Sequence, residues 1–187
     1  MKGIDILIYE HKHIKRMLRI MRKASIDILE GRAIFYEDFT LMIDFVRNYA
    51  DSHHHGKEEK YLFDKMLVEL GLVAEKLIKN GMLVEHDLGR LYIQQLEESL
   101  VKVKSGEVEA KVDVIANAIG YCNLLTRHID KEDNVVFTFA LKELSSKGIE
   151  KFNVECAQYE IQAEKLQIQD KYIKILEDLE KKYLIYN

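Results

Sequence analysis

A histidine followed four residues later by glutamate opens two matching stretches, His54-His55-Gly56-Lys57-Glu58-Glu59-Lys60-Tyr61-Leu62-Phe63 and His128-Ile129-Asp130-Lys131-Glu132-Asp133-Asn134-Val135-Val136-Phe137. The two stretches agree at His, Lys, Glu, an acid and Phe. A Glu-His dipeptide also recurs, at Glu10-His11 and Glu85-His86, 43 residues before His54 and 42 before His128 counted from the histidines. Helical residues four apart point the same way one turn apart, so each His-Glu pair can reach one ion or two adjacent ions. His11, His54, His86 and His128 then offer four neutral nitrogens, and Glu58 and Glu132 two carboxylates. That set suits two divalent or trivalent first-row ions bridged by the carboxylates. A single structural zinc would need only four ligands.

Four helices must hold these residues. Ile4, Leu7, Ile14, Leu18, Met21 and Ile28 form an apolar stripe over 4–29 that includes His11, and Gly31 supplies the stop. A second stripe runs from Tyr36 through Phe39, Ile43, Val46 and Ala50 to His54, Glu58 and Leu62, with Gly71 as its end. Residues 72–81 read as a short helical connection, closed by the break signal Asn80-Gly81. The third stripe joins Met82, His86, Gly89, Ile93, Leu96, Leu100 and Val103. The fourth extends from about Glu109 through Val114, Ala118, Tyr121, Leu125 and His128 to Leu144. At about 1.5 Å per residue, all four imidazoles stand about 27 to 29 Å from their own hairpin turn, so antiparallel packing puts them in one layer. The expected fold is all-α, an up-down-up-down antiparallel four-helix bundle over 1–144. A loop at 145–148 leads to an additional C-terminal helix over 149–185. That extension, 145–187, either packs on the bundle or pairs with a second copy in a homo-oligomer.

Spacing alone permits His55 with Glu59 as well as His54 with Glu58. The repeat favours His54, because Lys57 then aligns with Lys131 and Phe63 with Phe137. This leaves His55 as an alternative ligand, and Glu59 and Asp133 as carboxylates that could hold a ring N–H. By the same reading, solvated surface is the expectation for His13, His53 and His55. Tyr61 and Tyr121 lie on inward faces within about two turns of the ligands. Core packing is their default, with a role beside the metal as the alternative.

The composition narrows the class. With 187 residues, 48% hydrophobic and 32% charged, the chain can bury a core without staples. A net charge of -4 with interspersed signs gives no basic face for nucleic acid. No run approaches the roughly 18 to 20 apolar residues of a membrane span. The N-terminus gains charges too early for a signal peptide, and Cys122 and Cys156 show no metal or redox spacing, so a cytoplasmic location is expected. Proline is absent, so nothing forces a kink.

Taken together, Glu10-His11 with Ile14, His54-x-x-Lys57-Glu58-Glu59 with Leu62-Phe63, Glu85-His86, and His128-x-x-x-Glu132 with Phe137 resemble the hemerythrin-like HHE cation-binding family over residues 4–144. The resemblance implies two oxygen-bridged iron ions in a non-heme di-iron centre that binds or senses oxygen, nitric oxide or redox state. Zinc and manganese are also permitted by the donor set. The alternatives are a di-iron enzyme acting on peroxide or in iron-centre repair, and an interaction bundle with a structural metal. Two departures bear on this. Oxygen carriers of the family place a second His one turn before the third-helix ligand, where this chain has Met82. Their last carboxylate follows its His by five, and here Glu132 and Asp133 offer both spacings. Gly89, one turn past His86, leaves room for a small ligand or for packing.

Overall fold

The computed structural model describes residues 2–185, and among them every regular element is helical. Helix α1 spans Gly3–Leu29 and α2 spans Tyr36–Phe45. From α2 the chain continues through wide π-helical turns at Val46–His55 and Glu58–Phe63 into α3, Asp64–Leu77. Turns at Ile78–Met82 lead into α4, Leu83–Lys104. After a short turn at Val108–Ala110 come α5, Lys111–Lys131, another wide turn at Glu132–Val136, and α6, Phe137–Glu143. Helices α7, Ser146–Lys165, and α8, Ile168–Glu180, complete the order, with Lys181–Ile185 extending the last. None of these helices is long and apolar enough to cross a membrane.

Helix ends follow local chemistry. Gly31 and Gly106 take positive φ, 84° and 107°, after α1 and α4, where a side chain would be strained. Beyond them Arg32 N–H reaches Asp27 O at 2.9 Å and Glu107 N–H reaches Lys102 O at 3.1 Å, so the last carbonyls are satisfied. The Ser145 hydroxyl accepts from Gly148 N–H at 3.0 Å and starts α7, so the expected loop at 145–148 is already helical from Ser146. Gly71 does not end its helix but kinks it, with φ 59°. Asn80-Gly81 breaks nothing, because helical turns run through it into α4. The single C-terminal helix expected over 149–185 is two, divided at Leu166-Gln167, where Gln167 has φ 54°.

Helix α5 packs on α1 and α4, and α7 and α8 pack on α1 and on the α2 run. The buried apolar residues fall into two clusters. One holds Ile14, Met17, Ile43, Ala50, Ile93 and Leu125 among others, and takes Tyr172, Leu176 and Leu179 from α8. The other holds Leu7, Leu62, Phe63, Met82, Val136 and Phe137, with Phe152 and Cys156 from α7. In each of the four long runs the chain crosses from one cluster to the other through buried polar residues: Glu10 and His11, His54 and Glu58, His86, then His128 and Glu132. A polar layer buried between two apolar ones is costly unless its groups are paired or hold an ion.

Candidate metal centre

The two His-Glu motifs enter the layer on wide helical turns. Val46–His55 carries His54, Glu58 opens the next such turn, and Glu132 begins the one after α5. Turns of this kind concentrate at functional sites, because the inserted residue re-aims the side chains around it. Single-sequence periodicity did not show them.

The layer brings together all six residues expected from the repeat. His11 Nε2 and His54 Nε2 lie 2.9 Å apart, and His86 Nε2 and His128 Nε2 lie 3.1 Å apart. One oxygen of Glu132 is 3.3 Å from His11 Nε2 and 3.2 Å from His128 Nε2, so this carboxylate spans both pairs. Glu58 also spans both pairs, with Oε1 3.6 Å from His54 Nε2 and Oε2 3.8 Å from His86 Nε2. Within the layer, two groups have ligating atoms within 4.8 Å of one another: His11, His54, Glu58 and Glu132, and His55, Glu58, His86 and His128. Asp133 is not in either group, so of the two possible last carboxylates Glu132 faces the layer.

Each imidazole is aimed by an acid on its other nitrogen. Asp133 Oδ1 stands 2.7 Å from His11 Nδ1 and Glu10 Oε2 2.8 Å from His54 Nδ1. Glu59 Oε1 is 2.7 Å from His86 Nδ1, and Glu85 Oε2 is 2.9 Å from His128 Nδ1. A cation grips every one of these acids: Lys15 on Asp133, Lys57 on Glu10, Arg90 on Glu59 and Lys131 on Glu85. An acceptor at Nδ1 assigns the ring proton there and turns the Nε2 lone pair toward the layer. Glu59 and Asp133 thus occupy the place expected of them. Glu10 and Glu85 were missed in that role, although their repeat beside His11 and His86 was a signal. Each serves the histidine of the other helix in its half.

Two lone pairs facing each other at about 3 Å repel unless a proton or a cation lies between them. The surrounding carboxylates bear on which of these rings can carry such a proton. Burial opposes charge on His11, but Asp133 and Glu132 outweigh it and its pKa is raised. Burial and His11 lower His54 to about 4. Burial likewise opposes charge on His128, yet Glu132 and Glu85 raise it to about 9. Burial and the facing Glu132 hold Glu58 well above the carboxylate range. Burial would raise Glu132 too, but His128 and His11 pull it well below.

The layer nevertheless fits cations better than protons. All four carboxylate oxygens of Glu58 and Glu132 are buried without a hydrogen-bond partner, and no other buried side-chain oxygen or nitrogen among the described residues is. Buried polar atoms are rarely left so unless an ion completes them. The nitrogen separations of 2.9 and 3.1 Å match two adjacent nitrogens on one ion, about 3.0 Å apart for bonds of about 2.1 Å.

The remaining histidines differ from expectation. His13, His53 and His55 are buried, not solvated, because α7 and α8 cover the face carrying the first two and α4 covers the third. His13 Nδ1 meets the Tyr49 hydroxyl at 2.7 Å. His53 lies among Glu10, Glu160 and Lys57, and the Lys57 ammonium already bonds both acids there. His55 stacks on His86, centroids 3.8 Å apart. Tyr121 is buried beside the layer, while Tyr61 is half-buried against Tyr159 of α7. A cavity of about 130 Å³ reaches the layer, lined by His55, His86, Gly89, Ile93 and Tyr121 with Arg90 at its rim.

A family model described as Hemerythrin, the hemerythrin HHE cation binding domain, matches residues 2–140. No curated protein and no solved structure matches the chain.

Proposed function

Because this chain belongs to the hemerythrin HHE cation-binding family, we propose that it holds a non-heme di-iron centre and uses it to bind or sense oxygen, nitric oxide or redox state. The observation that carries the reading is the set of four buried carboxylate oxygens, each lacking a hydrogen bond, between two imidazole pairs. His11 and His54 would hold one ion and His86 and His128 the other, with Glu58 and Glu132 supplying carboxylate oxygens to both. In this reading the four long runs form an up-down-up-down bundle, with α7 and α8 as its extension. Bound iron would supply one-electron redox changes and open coordination for a small diatomic ligand.

The chain's own part is to exchange protons for ions and to hold the donors still. Ligation takes neutral imidazole and ionised carboxylate, so the raised groups, Glu58 and His128, must give up protons as iron enters. Uptake therefore releases protons below about pH 9 and weakens as the pH falls. The acid-cation pairs behind each imidazole fix its tautomer and keep Nε2 in place. Gly89 and Tyr121 leave space beside His86 for a ligand of a few atoms.

Anaerobic iron loading, followed by visible and near-ultraviolet spectra before and after oxygen or nitric oxide, tests this. The expectation is two irons per chain, a spectrum that responds to the gas, and acidification of a weakly buffered solution on loading. Substoichiometric iron with a featureless spectrum after reconstitution would overturn it.

A further inference from the structure

We propose that His55 is a fifth imidazole ligand, given to the ion held by His86 and His128. This inference rests on the binuclear reading above and deepens it.

The outer arrangement behind His55 carries the argument. Each of the four imidazoles in the layer has its Nδ1 on a carboxylate that is itself gripped by a cation. His55 repeats this: its Nδ1 lies 3.3 Å from Asp51 Oδ1, and Arg90 binds that carboxylate at 2.7 Å. The other buried histidines do not. His13 turns Nδ1 to a tyrosine hydroxyl, and His53 turns Nε2, not Nδ1, to Glu10. Arg90 also grips Glu59, the acid behind His86, at 2.7 Å, so one guanidinium anchors the acids of both rings. The rings stack in parallel, 8° apart in plane with centroids 3.8 Å apart and their Nδ1 edges on the same clasp, so His55 must turn out of the stack about its Cβ–Cγ bond for its lone pair to meet the ion of His86. One nitrogen of His55 lies within 4.8 Å of the ligating atoms of Glu58, His86 and His128.

The chemistry gives this nitrogen a use. Met82, one turn before His86, is buried and apolar, so α4 supplies a single imidazole. Without another donor the ion at His86 and His128 would have two nitrogens and shared carboxylates only. His55 restores a third nitrogen from the α2 run. It also lines the cavity beside that ion, which leaves one face of the site open.

Anaerobic titration of the metal-free full chain with Co(II) alone, followed by d–d absorption and competition dialysis, decides the point. Wild type takes two ions. In His55→Gln the first ion is held as before, and the second is weakened at least about tenfold with a changed d–d band. Asp51→Asn, which alters a partly exposed acid behind the ring, gives a loss in the same direction and decides if His55→Gln fails to fold. Both variants holding the second ion as wild type does, with an unchanged band, would overturn the assignment of His55. A wild-type chain that takes fewer than two ions would overturn the binuclear reading instead.

Discussion

The two halves of the layer carry the same motif and sit in different surroundings. Behind His54 the outer shell is closed, although behind His11 the Lys15 that grips Asp133 is 40% exposed. Lys57, behind Glu10, is fully buried, bonds Glu160 of α7 as well, and lies 5.8 Å from the Tyr159 ring. Around His86 and His128 the corresponding Lys131 is 44% exposed on its contact with Glu85, and the cavity opens between α4, α5 and the α2 run. The repeated ligand set thus has one half sealed behind His54 and one half that a cavity opens beside His86. Burial strengthens electrostatic interactions and excludes water, whereas an open face admits ligands. In the proposed centre the half sealed behind His54 holds an ion and the open half presents one.

The largest expected effect of that difference concerns the two lysines. Lys57→Met removes an ammonium shared by two carboxylates, one of them almost wholly buried, and should cost about 3–5 kcal/mol. Lys131→Met removes a solvent-screened partner of Glu85 and should cost about 1 kcal/mol or less. Urea denaturation of both metal-free variants measures this. Equal losses would break the contrast between closed and open halves.

The seal itself comes from the C-terminal helices, and Leu176 tests it. This residue is fully buried in the cluster that holds Phe45 and Tyr49, so α8 shares that core. Leu176→Ala should cost about 2–5 kcal/mol by the same denaturation. A loss below about 0.5 kcal/mol would show α8 behaving as surface, and the first half would not be sealed by it.

How much of this was legible in the sequence depends on how local the signal was. His11, His54, Glu58, His86, His128 and Glu132 could be read because a helical period and a repeat act within each half, and the layer brings all six together. Glu59 and Asp133 could be read as acids behind the rings for the same reason. The burial of His13 and His53 could not, since it depends on α7 and α8, whose packing leaves no mark on the residues they cover. The place of His55 in the layer was obscured by its repeat partner: position 129 is isoleucine, so alignment of the halves favoured His54. The division at Gln167 lacks the glycine or proline that marks most breaks. At Asn80-Gly81 such a signal was present, but turns continuing into α4 overrode it.

The smallest expected effect lies at the open half and sharpens its purpose. Gly89 is buried in the interior of α4 and lines the cavity. A methyl built there would stand 3.4 Å from Leu125 Cδ2 and 3.5 Å from Tyr121 Cε2, in contact without overlap. Gly89→Ala should therefore gain about 0.5–1 kcal/mol from helix propensity while narrowing the space beside His86. Iron content should be unchanged, and azide, a three-atom probe, should bind the iron-loaded variant more weakly than wild type. A destabilised variant would mean that the cavity wall cannot accept a methyl. Unaltered azide affinity in a stable variant would mean that ligands reach the layer by another route, and the open half would lose the role its surroundings give it.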